Sequence, residues 1–482
     1  MTALSLLWRW FLRPLLFLGV VLGTLVAILL SIVSWQGRRE WAQTRAELLA
    51  KGEKLSQIEL APPPVPDAEN IFADAIWNKA PDTGKSPIDE ANTPLTPDEV
   101  ARLRKLFPNG ASVLEGNTRA RDLYTLTATE PPARDLVAAR AKAEAILAAL
   151  QPLDATLARA HELLKRPYGR VGFEFGALQS YIDSFDSFPK TTAIGQALSA
   201  RAQADLALGN SAAAARDLCD VIKLAEALNP YPVLFCQMMR AGLVACALPV
   251  IELGIATHAW SDPELVEFQR RLDQIDLPAG VALAFRGERG FYNELWEAFR
   301  KGTAPDVWRR YAFQGDSKLC STWMDLLGPL SLRAYLAIFA PGDQAAFNKA
   351  VQHIVEAADV IPKKGWSTKL QRWQPESWRD WTFHYFTART MYLLAGNIDV
   401  CAIQQIEIRQ TVVACALERY RLEFHAYPDS LAALIPRFLP KAPRDLLENR
   451  PYGYQLDGPD KFRLWSLGWN ERDASDDLLW NR

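Results

Sequence analysis

The sequence predicts a mainly α protein with three parts: an N-terminal single transmembrane helix, an α-helical bundle or solenoid-like body, and a small α+β C-terminal module with a short antiparallel sheet. Three observations predict it. Leu15–Val33 is an uncharged apolar run of membrane-spanning length, apolar residues then recur at helical spacing through most of the chain, and beyond Tyr427 the pattern becomes alternating. The implied divisions are a transmembrane anchor at 1–37, a juxtamembrane helix with a Pro-rich spacer and loop at 38–97, and a helical body at 98–360. A Trp-rich connector at 361–400 and the C-terminal module at 401–482 complete the chain.

In the anchor, LLFLGVVLGTLVAILLSIV extends about 28 Å at ~1.5 Å per residue, close to the hydrocarbon thickness of a bilayer. Trp8, Trp10 and Trp35 flank it where indoles favour the interface, and Arg9, Arg13, Arg38 and Arg39 bracket it with charge. Pro14 stands at the helix start, where its missing N–H matters little. The exit, Ser31-Ile32-Val33-Ser34-Trp35, lacks the small-residue pattern of a signal-peptide cleavage site, so the anchor is expected to stay uncut.

Composition excludes some functions. The 54 Lys+Arg nearly balance 56 Asp+Glu, leaving a net charge of -2 and no global attraction for nucleic acid. A chain of 482 residues can bury large cores without disulfide or metal staples. The six cysteines, Cys219, Cys236, Cys246, Cys320, Cys401 and Cys415, form no CxxC pair and no zinc-like spacing. They read as buried thiols, with a Cys401–Cys415 or Cys236–Cys246 bridge as the alternative in an oxidising compartment.

After the charged, helix-prone Arg38–Lys54, Ala61-Pro-Pro-Pro-Val-Pro66 must be extended and rigid. Asp67–Trp77 reads as a short helix with an N-cap aspartate, 81–97 as a loop, and Thr96–Phe107 and Ala133–Lys165 as helices. Gln196–Leu228 reads as a helical hairpin turned at Gly209-Asn210 and capped by Ser211; its pattern is similar to one tetratricopeptide repeat. Helical spacing continues through Val233–Gly254, Asp262–Ile275, Ala279–Arg300, Ser321–Phe339 and Ala345–Val360, and again in Ala402–Phe424.

Past Ala402–Phe424, Tyr427–Pro436 is a short capped helix, and Tyr452–Leu456 and Phe462–Ser466 alternate as paired strands around Asp457-Gly458. Over ~70 residues this order resembles the C-terminal part of the major pseudopilin of type II secretion. Carrying the resemblance are Ala416-Leu-Glu-Arg-Tyr-Arg-Leu422, Tyr427-Pro428, Leu439-Pro440, Pro443-Arg444-Asp445, Pro451-Tyr452-Gly453-Tyr454 and Leu464-Trp-Ser-Leu-Gly468. It implies calcium in the acidic loop that follows, with Asp473, Asp476 and Asp477 as oxygen ligands, since hard cations favour clustered carboxylates. That loop is shorter than the family's and the N-terminus lacks the prepilin cleavage motif, so the chain is not a pilin subunit. Anchor, Pro-rich segment and Asp67 together also resemble membrane-anchored proteins of planctomycete and verrucomicrobial bacteria. The flanking arginines are nearly balanced across the anchor. The pseudopilin resemblance therefore decides the expected orientation: a bacterial inner membrane, N-terminus in the cytoplasm and body in the periplasm.

No HExxH, GxSxG, phosphate-loop or GxGxxG pattern occurs, and the histidines, His161, His258, His353, His384 and His425, show no metal spacing. The residual polar constellations are Arg286-Gly287-Glu288-Arg289-Gly290 and the acidic, aromatic stretch holding Glu174, Tyr181, Asp183 and Asp186. The first reads more simply as an ion-pair set and the second as a buried connector. The expected function is a membrane-anchored envelope protein whose body binds protein partners, without nucleic acid and with no cofactor except a candidate calcium ion. The alternative is a membrane-tethered enzyme with its site around Glu288 or Asp183.

Overall fold

A computed structural model describes residues 13–77, 136–178, 188–304, 333–364, 384–446, 449–456, 458, 461–466 and 479–481. The chain divides into two compact units, each assembled from separated stretches. The first comprises Met1–Glu59, Arg289–His353 and Trp373–Leu393; the second comprises Leu60–Glu288, Ile354–Arg372 and Leu394–Arg482. The mainly helical class with a small antiparallel sheet is as the sequence predicts.

Helices are labelled in chain order: α1 Arg13–Ala50, α2 Leu136–Leu150, α3 Asp154–Leu164, α4 Phe188–Ala207 and α5 Ser211–Ala227. They continue as α6 Leu234–Ala256, α7 Asp262–Asp273, α8 Leu277–Lys301, α9 Ala340–Lys364 and α10 Tyr385–Phe424. Several differ from their predicted extents. The stretch Ala133–Lys165 is two helices, because Pro152 interrupts the ladder and leaves a single 3-10 turn at Gln151–Leu153. Asp67–Trp77 is no α-helix but two 3-10 turns. Asn70 is extended there, pairs with Tyr168 and turns its side chain to the Phe72 and Arg170 amides, which breaks the helical ladder. Thr96–Phe107, residues 321–332 at the start of Ser321–Phe339 and residues 365–383 of the Trp-rich connector lie outside the described residues.

In the second unit α4 and α5 form the predicted antiparallel hairpin, closed at Gly209 (φ +85°), a left-handed conformation that glycine adopts freely. Helix α6 packs on both, and Gly195 lets α4 come so near that a Cβ there would lie 2.2 Å from the Leu243 side chain. α2 lies along α4 through Ala143, Ile146 and Ala204. α7 opens with a capping box between Ser261 and Glu264 and buries Leu265, Phe268 and Leu272. The later part of α10 buries Ile406, Val413 and Leu417, and the Gln405 side chain joins it to the chain between α7 and α8 by bonding Ile275 O and Leu277 N.

The module after α10 carries a three-stranded antiparallel sheet, β1 Gly453–Leu456, β2 Phe462–Trp465 and β3 Leu479–Asn481, in the order β1-β2-β3. The predicted hairpin is present, with Gly453 opposite Trp465. A Cβ at Gly453 would lie 2.0 Å from that indole, so glycine is what admits the ring. Buried Tyr427, Leu434, Phe438, Leu446, Tyr452, Phe462 and Leu464 form its core.

In the first unit, α1 meets the earlier part of α9, with Gly37 against Gly342 and Glu40 paired with Lys349, and the chain just after α1 bonds the later part of α8 through Glu53, Ser56 and Gln57. The unit's apolar centre is an aromatic cluster in which Tyr292 and Trp296 meet Phe347 and Phe386 at centroid distances of 4.8–5.6 Å. Cys219, Cys236, Cys246, Cys401 and Cys415 are free thiols. The alternative bridges fail on geometry. Each pair lies on one helix, about 15 or 21 Å apart along its axis, while a disulfide needs Cα atoms within about 7 Å.

Candidate functional site

Helix α1 is continuous from the apolar run into the body. From Leu15 to Ile32 the large apolar side chains are exposed except the half-buried Leu30, and none in its most apolar stretch is fully buried. Burial then starts abruptly, at Ser34, Gly37, Thr44 and Leu48, the spacing of one helical face. Ser34 Oγ donates to Ala337 O at 2.7 Å, and a Cβ on Gly37 would come within 2.7 Å of Gly342 N. The unit that contains α1 therefore grips it from Ser34, ahead of the Pro-rich stretch. α6 is also long and apolar enough to cross a membrane, but 67% of its most apolar stretch is buried, which identifies a core helix.

The Arg286–Gly290 segment lies inside α8, and its charges are consumed by packing. In the second unit Arg286 pairs with Asp359, and Glu288, 1% exposed, accepts from Leu234 N at 3.0 Å, a carboxylate at the start of α6. Gly287 has Pro232 against it, where a Cβ would fall 1.7 Å from the carbonyl oxygen. In the first unit the fully buried Arg289 pairs with Glu53 and donates to Gln352 Oε1 at 2.8 Å, while Gly290 admits the backbone of Gln57. Around them Asn293, Gln344 and Asn348 form a side-chain network, and Glu294 accepts from Ser56 and Gln57. Asp343, 0% exposed, accepts from the Phe386 and Thr387 amides and so caps α10. Burial pushes its carboxyl pKa upward against those bonds.

Three polar groupings in the second unit went unrecognised in the sequence. His258, the left-handed residue after α6, meets Glu418 at 3.0 Å. Glu418 is fully buried and also accepts two bonds from Arg421 and one from Tyr427. Burial would raise its pKa, but these donors outweigh it and hold the carboxylate below its usual value. Glu407 is the reverse case. Desolvation, then the nearby charge of Glu252, push it up to about 7, opposed by a bond from Gln404. Thr411 donates to Glu252. The third grouping is His161 with Asp220 at 2.6 Å, partly exposed, where burial raises the Asp220 carboxyl despite its histidine. Arg240, 2% exposed, donates to Gln237 and Asp276 O, and burial lowers it to about 10.

A signal for the first two was present: Glu407, Thr411 and Glu418 recur at helical spacing within a stretch otherwise read for its apolar stripe. Only folding brought His258 to Glu418, 160 residues away. Of the other sequence candidates, Glu174 lies in the described chain, whereas Tyr181, Asp183, Asp186 and the acidic-tail residues Asp473, Asp476 and Asp477 lie outside the described residues. Among the described residues no three His, Cys, Asp or Glu side chains are grouped to hold a metal ion. Comparison with family models, curated proteins and solved structures finds no match.

Proposed function

We propose that this chain is a single-pass membrane protein, anchored through Leu15–Val33, whose helical body offers surfaces to protein partners. The observation that carries the reading is the change of environment along α1, from apolar and exposed to packed within a single turn at Ser34. A bilayer is the solvent that makes such a bare apolar cylinder stable. Support for a binding rather than a catalytic body comes from the polar groups around Glu288 and Arg289, which are spent on loop amides and ion pairs. We place the body in the periplasm of a bacterial inner membrane and relate the final module to the pseudopilin fold, with calcium at Asp473, Asp476 and Asp477.

Alkaline carbonate washing of membranes should leave the chain in the pellet, and release into the wash removes the anchor reading. Affinity purification of the tagged full chain from detergent extracts should recover a stoichiometric protein partner; none recovered from extracts that retain the folded chain counts against the binding role. For the metal, millimolar calcium should raise the melting temperature of the full chain. No shift excludes the ion.

The enzymatic alternative has one observation in its favour, the partly exposed His161 whose Nδ1 lies 2.6 Å from Asp220, an orientation that suits a general base. Saturable hydrolysis lost in His161→Ala without loss of fold would establish it.

A further inference from the structure

Two arginines stand just beyond the apolar run with no carboxylate to answer them. At ~1.5 Å per residue Arg38 and Arg39 lie about 8 Å past Val33, which is the depth of the headgroup layer, while Arg45, about 18 Å past it, lies beyond. Both are exposed, and among the described residues neither has an acidic partner. Glu40 beside them is engaged by Lys349.

Helical side chains lean toward the N-terminus, so both guanidinium groups project back toward the bilayer. Arg39 shows this directly, with its guanidinium carbon 5.6 Å from the ring centre of Trp35, itself 57% exposed. Below Trp35 on the same face runs a shallow groove lined by Thr24, Ala27, Ile28, Ser31 and Ile32. The hydroxyls of Thr24 and Ser31 bond back to Val20 O and Ala27 O, so that face presents hydrocarbon. A shallow apolar groove ending at an indole and two cations without acidic partners suits an acyl chain that carries an anionic headgroup.

We infer that Trp35, Arg38 and Arg39 form a headgroup site for an anionic phospholipid, whose acyl chain lies in the groove from Thr24 to Ile32. The inference rests on the single-span reading. Because the unit grips α1 at Ser34, occupancy would fix that unit's depth against the membrane surface.

The test uses the full chain in nanodiscs of mixed phosphatidylcholine and phosphatidylglycerol, with bromine on the acyl chains of one lipid or the other. Subtracting the quenching of Trp35→Phe from that of wild type isolates Trp35 among the 16 tryptophans. Brominated phosphatidylglycerol should quench Trp35 several-fold more than brominated phosphatidylcholine, and Arg38→Gln with Arg39→Gln should abolish the preference, roughly fivefold per arginine. Equal quenching by the two lipids in wild type, or a preference that survives the double substitution, overturns the site. A carbonate wash of the chain reconstituted into proteoliposomes of the same lipids separates the two failures. Retention with equal quenching defeats only the lipid site, whereas release from the membrane defeats the span itself.

Discussion

Glu418 and Glu407 lie on one helix and respond to burial in opposite ways. Glu418 is surrounded by donors from His258, Arg421 and Tyr427, so its charge is stabilised in the fold. Its folded pKa lies below the ordinary carboxylate value, so its contribution is present above that ordinary value and is lost as pH falls through the folded pKa. Glu418→Ala strands an arginine and a tyrosine hydroxyl and should destabilise by about 3–5 kcal/mol in chemical denaturation. Glu407, raised to about 7, holds its proton longer in the fold than in the unfolded chain, so stability falls as pH rises between its ordinary value of 4.5 and about 7. Glu407→Gln should therefore melt higher than wild type at about pH 8 and alike at about pH 4, the gain being on the order of 2–3 kcal/mol. A gain equal at both pH values would refute that account. Neither behaviour could be read from sequence, because the same residue type on the same helix takes its sign from partners 160 positions away or one helix over.

The elements themselves were more legible. Hairpin α4–α5, helix α7 and the β1–β2 pair follow from Gly209-Asn210, from helical spacing over Asp262–Ile275, and from alternation around Asp457-Gly458. Asp67–Trp77 failed because Asn70 serves the distant Arg170 amide rather than a helix. Glycines inside helices show how context decides. Gly242 in α6 has open space at its Cβ position, so Gly242→Ala should stabilise by about 0.5–1 kcal/mol. Gly287 in α8 lies against the Pro232 carbonyl, and there the same change should destabilise by about 2–3 kcal/mol through overpacking, despite the gain in helix propensity. Thermal melts in one detergent compare the two. Similar effects at both sites would mean that the Pro232 contact relaxes freely.

At the scale of the whole molecule, α1 serves two environments in succession. Replacing Leu15–Leu29 by a Leu/Ala run of equal length should leave the body's melting temperature unchanged, since that stretch exposes its apolar side chains. Gly37→Leu should lower it, because Gly342 occupies the space. A drop in the first variant would show that the run contributes to the body's core. By itself the sequence determined the apolar N-terminal helix of membrane-spanning length, the mainly helical class, the helical hairpin and the strand pair, all of which follow from local periodicity and turn chemistry within about twenty residues. Only the tertiary structure decided that the charges of Arg286–Gly290 serve packing, that α6 is core rather than membrane, and that Cys236–Cys246 and Cys401–Cys415 are not bridged. Those outcomes depend on which surfaces meet across hundreds of residues, and no local pattern encodes a partner that distant.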